Sequence, residues 1–253
     1  MTVHLYAFEC GRLTIPRSFL LEGALGNITT PVPSYLIVHP RGRAVFDSGL
    51  NVAVQSDSQS YITPNGARFT QFHFEPGEEI SARLAEVDVD PTAIDLIINS
   101  HLHYDHAGGN AQLPNADILV QRPEWDHAHA VPDREVAYRK VDFSTGQAVR
   151  LVDGEHDVFG DGSVVVFPTY GHTPGHQSLR VRTERGTFIL CGDACYMRHA
   201  LDAGHLPGVM HDREATLRSF ETFRRLEAAG SRIMFGHDPE FWESVPRAPC
   251  RLG

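Results

Sequence analysis

The stretch "HLHYDHAGG", residues 101–109, crowds three imidazoles and a carboxylate into its first six positions. It follows directly on "DLIINS" (95–100), an apolar run of the kind that forms a buried strand. The carboxyl end of a strand is where α/β proteins place their sites. On an extended segment alternate side chains share a face, so His101, His103 and Asp105 are expected on one side. His106 has the other parity and joins them only if the chain bends, and Gly108-Gly109 reads as the permissive backbone for a bend into a helix start. Four donors on one short turn crowd a single ion, and two adjacent ions accommodate them more easily. The plain alternative, surface histidines in a chain that holds 15, is the weaker reading of so ordered a pattern.

Three later features repeat the arrangement. "YGHTPGHQS" places His172 in a Gly/Pro turn after the run "SVVVFPTY" (163–170). "LCGDACY" places Asp193 just past "TFIL", and "MFGHDPE" places His237 just past "RIMF". Each is a metal-capable residue at the exit of an apolar strand. Taken singly each reads as a hydrogen-bonded structural residue; together they repeat one architecture. His176, four residues after His172, is expected to orient its turn rather than to bind metal.

The remaining apolar runs, "SYLIVHP" (34–40), "RAVFDSG" (43–49), "AIDLIINS" (93–100), "ADILVQ" (116–121) and "RIMFGH" (232–237), are mostly continuous, which predicts strands covered on both faces. Helices are predicted over 78–87, 123–130 and 213–229, the last with Asp212 as N-cap and Gly230 as stop. Residues 51–77 read as a long loop. Strands and helices mixed in this way make an α/β chain of sheets sandwiched between helices, read here as a single domain over 1–253.

The balance of 22 basic against 32 acidic residues, a formal net charge of -10, argues against a nucleic-acid partner. No leader-like segment opens "MTVHLYAFECGRL" and no continuous apolar stretch is long enough to span a bilayer, so no membrane association is expected and a soluble, cytoplasmic protein is, either monomer or homodimer. Cys10, Cys191, Cys195 and Cys250 are too scattered for a disulfide framework and read as reduced packing residues.

With those residues in hand, the chain resembles the metallo-β-lactamase superfamily, whose order of HxHxDH, His, Asp and His is met by "HLHYDH", His172, Asp193 and His237. Within it, the chain is most similar to the N-acyl-homoserine lactonases, through "SHLHYDHAGGN", "GHTPGHQSL", the Asp193-Ala194-Cys195-Tyr196 stretch and "FGHD". The likeness runs from the N-terminus to residue 238, and 51–77 departs from it. The resemblance implies a four-layer αβ/βα sandwich with two divalent metal ions at one edge. His101, His103 and His172 would hold the first, Asp105, His106 and His237 the second, with Asp193 bridging. Ligands without thiolate suit zinc, and also manganese, iron or cobalt.

Two such cations can share a hydroxide that attacks the lactone carbonyl of a small-molecule substrate, because metal coordination lowers the water pKa from about 15.7 towards 7. Tyr196 would then donate to the carbonyl oxygen and Asp105 would pass a proton to the leaving alkoxide. Phe69 and Phe72, in 51–77, are candidates for covering an acyl chain, for a dimer contact or for plugging the core. The alternatives within hydrolases are a lactonase for another ring, such as a pyridoxine-derived lactone, and a thioester hydrolase like glyoxalase II, which carries a C-terminal glutathione-binding region for which the 16 residues after His237 leave little room. A non-catalytic metal-binding protein is the alternative from another class.

Overall fold

The structure is a computed structural model that describes residues 2–134 and 137–253. Among them, twelve strands form two sheets: β1 (His4–Pro16), β2 (Asn27–His39), β3 (Gly42–Phe46), β4 (Gln71–His73), β5 (Leu96–Ile98), β6 (Asp117–Gln121), β7 (Val149–Val152), β8 (His156–Asp157), β9 (Val164–Pro168), β10 (Gln177–Thr183), β11 (Gly186–Leu190) and β12 (Arg232–Met234). The first sheet runs β4-β1-β2-β3-β5-β6-β7 and the second β12-β11-β10-β9-β8.

Alternation within the strands explains how four layers stack. Leu5 and Ala7, Tyr35 and Ile37, Ala44 and Phe46, and Leu96 and Ile98 face Val164, Val166, Leu179, Val181, Phe188 and Leu190 of the second sheet across one shared core. The intervening Phe8, Leu36, Val45 and Ile97 face outward onto Ile80 and Leu84 of the helix Ile80–Ala85. On the far side Ile189 and Ile233 meet Phe220 and Phe223 of the helix Arg213–Ala228. Both faces of each sheet are thus covered, as the continuous apolar runs predict. Burying an apolar side chain of this size stabilises by about 1.5–3 kcal/mol, so the shared core dominates the fold. The helix Arg213–Ala228 starts where its sequence signal lies, with the Asp212 side chain accepting from Ala215 N at 2.9 Å.

Two long strands escape the reading by apolar runs. β1 interleaves polar residues and carries a register shift between Glu9 and Arg12. β10 alternates Leu179 and Val181 towards the core with Arg180 and Arg182 away from it. Residues 51–77 are corrected more substantially: they hold a kinked helix at Ala53–Tyr61, a short 3-10 turn at Gly66–Arg68 and β4, which pairs with β1. Phe72 is not a cavity residue. It packs on Tyr61 and Tyr104 with ring centroids 6.5 and 5.6 Å away, whereas Phe69 is half-exposed and lines a cavity.

Among the described residues no helix is long and apolar enough to cross a membrane. All four cysteines are free thiols, with Cys10, Cys191 and Cys195 buried and Cys250 exposed. Burial pushes the Cys10 thiol up to about 12, as befits a packing residue.

Candidate metal centre

β3 and β5 run parallel in the first sheet, and β9, β11 and β12 run parallel to one another in the second through their common antiparallel partner β10 or by direct pairing. Their carboxyl ends therefore open at one edge of the sandwich. His101 and His103 leave β5, His172 leaves β9, Asp193 sits in the 3-10 turn Gly192–Ala194 after β11, and His237 follows β12. All seven candidate ligands meet there. Three overlapping groups, His101–His103–His172, His101–His106–Asp193 and Asp105–His106–His237, each bring one ligand atom per residue within 4.8 Å of the others.

The bend in the first motif differs from the sequence expectation. The chain bends at Ser100–His101 after β5, is extended at His103 (φ -69°, ψ 156°) and turns into the helix Tyr104–Ala107 at once, so Asp105 and His106 both lie past a bend and strand parity does not place Asp105. Nor do the glycines make the bend. Gly108 and Gly109 have ordinary φ values of -59° and -88°, and what they supply is closeness. A Cβ on Gly108 would stand 2.4 Å from Asn51 N, and one on Gly109 2.2 Å from Ser48 O.

Asp193 is the centre of the geometry. Its Oδ1 lies 3.2 Å from His106 Nε2 and 3.1 Å from His237 Nε2, while Oδ2 lies 3.4 Å from His172 Nε2 and 3.8 Å from His101 Nε2. Asp105 Oδ2 is 3.6 Å from both His106 Nε2 and His237 Nε2, and His172 Nε2 is 3.1 Å from His103 Nδ1. Four ligands set tetrahedrally at about 2.0–2.2 Å from an ion would stand roughly 3.3–3.6 Å apart, so these spacings suit shared cations. Of these pairs only His172 Nε2 and His103 Nδ1 are aligned as a hydrogen bond. His101 Nε2, His106 Nε2 and Asp193 Oδ1 are buried with no hydrogen-bond partner, an arrangement that costs free energy unless a cation takes them.

The opposite nitrogens of His101, His106, His172 and His237, by contrast, are held, whereas His103 Nε2 is buried without a hydrogen-bond partner. His101 Nδ1 is 2.9 Å from Ser100 Oγ, His106 Nδ1 2.8 Å from Asp47 Oδ2, His172 Nδ1 2.9 Å from Tyr196 Oη, and His237 Nδ1 donates to Pro31 O at 2.7 Å. One nitrogen fixed outward and one turned inward is how metal-binding imidazoles are oriented. Burial lowers the pKa values of His101 and His103 and, less strongly, of His172, favouring the neutral form a cation needs. Burial acts the same way on His106 and His237, but the carboxylates of Asp193 and Asp105 outweigh it and raise both. Burial would raise Asp193, and the imidazoles of His106 and His237 overcome it and hold the carboxyl well below its usual range.

Three buried polar residues build the frame, and two of them carry no ligand motif. Asp47, at the exit of β3, takes the left-handed φ of 56°. It accepts from Ser100 N at 2.6 Å and Ser100 Oγ at 2.8 Å besides contacting His106. Asp47→Asn is expected to lower metal affinity by about 10–100-fold, read by competition with a chromophoric chelator. Glu124 accepts from Leu102 N at 3.0 Å, Tyr138 Oη at 2.8 Å and Gly175 N at 3.3 Å, tying the His101–His103 segment to the His172 turn. Glu124→Ala would strand three buried donors, each costing about 1–3 kcal/mol, and is expected to lower the urea midpoint of the metal-loaded protein accordingly. Gly175 is what lets the two segments meet, since a Cβ there would stand 2.0 Å from Glu124 N. His176 stands behind the ligands, where its Nε2 accepts from Asp193 N at 3.0 Å and its Nδ1 meets Thr169 Oγ1 at 2.9 Å.

A cavity of ≈ 340 Å³ opens on the cluster. His103, Asp105, His172, Asp193, Tyr196 and His237 form its floor, and Leu13, Ile15, Phe19, Ile62 and Phe69 supply apolar wall.

Comparison with known proteins agrees with this geometry. The chain is 32% identical over 258 residues to N-acyl homoserine lactonase AttM of Azorhizobium caulinodans, covering 98% of this chain and 97% of that one. It is 32% identical over 251 residues to N-acyl homoserine lactonase AiiA of Bacillus thuringiensis subsp. kurstaki, covering 95% of each. A solved N-acyl homoserine lactone hydrolase with the product N-hexanoyl-L-homoserine bound at its catalytic metal centre superposes with a TM-score of 0.90 at 28% identity, covering 100% of both chains. The profile of the metallo-beta-lactamase superfamily matches residues 28–237, from the start of β2 to the last of the clustered histidines, and the chain belongs to that superfamily.

Proposed function

We propose that this chain is a dinuclear metal-dependent hydrolase that opens the lactone ring of N-acyl-homoserine lactones. The observation that carries the reading is Asp193, whose two oxygens face different pairs of imidazoles beside a cavity with apolar walls. His101, His103 and His172 would hold one cation, Asp105, His106 and His237 the other, and Asp193 both. An all-nitrogen and oxygen ligand set favours zinc as the native metal. When bound, two such cations supply Lewis acidity and bring the pKa of a shared water from about 15.7 towards 7, so no Ser or Cys nucleophile is needed.

The protein's own groups do the rest. If His172 ligates through Nε2, its Nδ1 carries the proton and donates to Tyr196 Oη, so the Tyr196 hydroxyl proton points towards the cavity side, where Asp193 is its acceptor until a substrate oxygen takes it. Burial, with Asp193 and Asp105 nearby, raises the Tyr196 pKa and keeps that proton in place. It is placed to stabilise the oxygen of the attacked carbonyl. Asp105 lines the same cavity and is placed to return a proton to the ring oxygen as it leaves. The apolar wall, Phe69 included, takes the acyl chain. A cytoplasmic setting belongs to the same proposal, on the strength of four free thiols.

The test is a pH-stat assay of the metal-replete protein against homoserine lactones of varied chain length, with lactam and thioester controls. Acid release from the acylated lactones in preference to both controls is the expected result. Faster hydrolysis of the thioester would replace the reading with a glyoxalase II-like one, and two bound metals with no hydrolysis of any substrate would favour a non-catalytic protein.

A further inference from the structure

Arg139 is a buried charged residue of the cavity wall that neither the ligand cluster nor its supports employ. It lines the cavity beside Tyr138, whose ring stands 4.6 Å from that of His103. Its side chain is 9% exposed, and among the described residues its Nε and Nη1 have no hydrogen-bond partner and it makes no ion pair. The guanidinium lies over the Tyr61 ring, 4.5 Å from the centroid, which holds it in place without satisfying its N–H groups. A buried acid on the helix that Arg139 precedes, Asp142 of Lys140–Phe143, feels its charge but is already engaged, accepting from Tyr61 Oη at 2.5 Å and Asn51 Nδ2 at 2.9 Å. A buried guanidinium with idle donors is costly in an apolar wall, and a ligand oxygen would relieve it.

We propose that Arg139 is a specificity-determining residue, donating to an acceptor oxygen on the acyl side of the substrate, either the amide carbonyl or an oxygen further along the chain. This rests on the lactonase reading above. The cluster would hold the ring, the apolar wall the chain, and Arg139 would be a buried charged point between or along them. The charge makes such a bond selective: a ligand lacking the oxygen would leave the guanidinium buried and unpaired.

The test compares wild type, Arg139→Met and Arg139→Lys on three lactones: γ-butyrolactone, N-hexanoyl-homoserine lactone and N-(3-oxohexanoyl)-homoserine lactone. Met keeps the length and apolar bulk, and equal melting temperature and metal content establish that the variants fold. Arg139→Met is expected to lower kcat/KM on the acylated lactones by about ten- to a hundredfold, chiefly through KM, with γ-butyrolactone within about twofold of wild type. Arg139→Lys should recover part of the KM. Equal losses on the two acylated lactones assign the amide carbonyl; a larger loss on the 3-oxo compound assigns the chain oxygen. Losses of the same factor on all three lactones, or none on any, would overturn the proposal while leaving the lactonase reading standing. Wild-type protein that opens none of the three would overturn the lactonase reading and this assignment with it.

Discussion

Asp193→Asn is expected to leave fewer than two metal ions per chain and to slow lactone opening by at least about a thousandfold, because the acidified water that two cations supply is then lost. The substitution keeps size and shape, so the turn Gly192–Ala194 and the Asp193 N–H bond to His176 survive it. What changes is the pair of oxygens. One of them becomes an NH2 group, which has no lone pair to offer the cation that either His106 and His237 or His101 and His172 would hold. An amide does not bridge two cations as a carboxylate does, and whichever way it flips, one pair loses its common ligand. Elemental analysis of the purified variant and its kcat/KM on N-hexanoyl-homoserine lactone check both halves; two retained ions with near wild-type turnover would remove Asp193 from the bridging role.

Tyr196→Phe is the second large effect and separates two roles that one hydrogen bond confounds. The Tyr196 hydroxyl is 2.9 Å from His172 Nδ1 and also lines the cavity. If it stabilises the attacked carbonyl, its loss costs about 2.7–4 kcal/mol in the transition state and slows turnover by tens to about a thousandfold at unchanged metal content. If it chiefly orients His172, metal affinity falls by about 10–100-fold and kcat recovers in excess metal. The first pattern is expected, since the imidazole is already fixed by its turn, where Gly171 N bonds Thr173 O, and by its approach to His103. Recovery of full turnover on adding metal would reassign Tyr196 to positioning.

Much of the centre is legible in the sequence, for a physical reason. Metal ligands must be specific residue types, and a strand exit offers few positions from which a side chain can reach a common point. His101 to His106, His172, Asp193 and His237 therefore announce themselves by type and place. The supporting residues do not. Asp47 is one carboxylate in "FDSG", Glu124 lies on a helix of mixed polarity, and the Pro31 carbonyl that holds His237 has no side-chain signature at all. Their roles come from tertiary contacts spanning 14 to 206 residues. Asp47 leaves one faint trace, the turn after an apolar run that also introduces the candidate ligands. Arg139 is silent in the sequence for the same reason: only the fold shows a charged side chain buried with, among the described residues, no hydrogen-bond partner for its Nε and Nη1.

The errors have a pattern too. Gly108 and Gly109 read as flexible backbone because glycine permits unusual φ, yet here they permit contact, and only the approach of residues 48–51 makes that apparent. β1 carries no apolar-run signal because a strand lying between two neighbours and bulged at Glu9–Arg12 mixes polar and apolar residues along its length. The helix at Ala53–Tyr61 was missed because Gln, Ser and Asp dominate it, and its own anchor is the Tyr61 hydroxyl on Asp142, far along the chain.

Anomalous diffraction from crystals of the protein grown with zinc, recorded on either side of the zinc absorption edge, tests the dinuclear centre most directly. Two peaks should appear, one enclosed by His101, His103 and His172 and the other by Asp105, His106 and His237, with an Asp193 oxygen on each. A lone peak among these seven side chains, or zinc bound only elsewhere on the molecule, would contradict it.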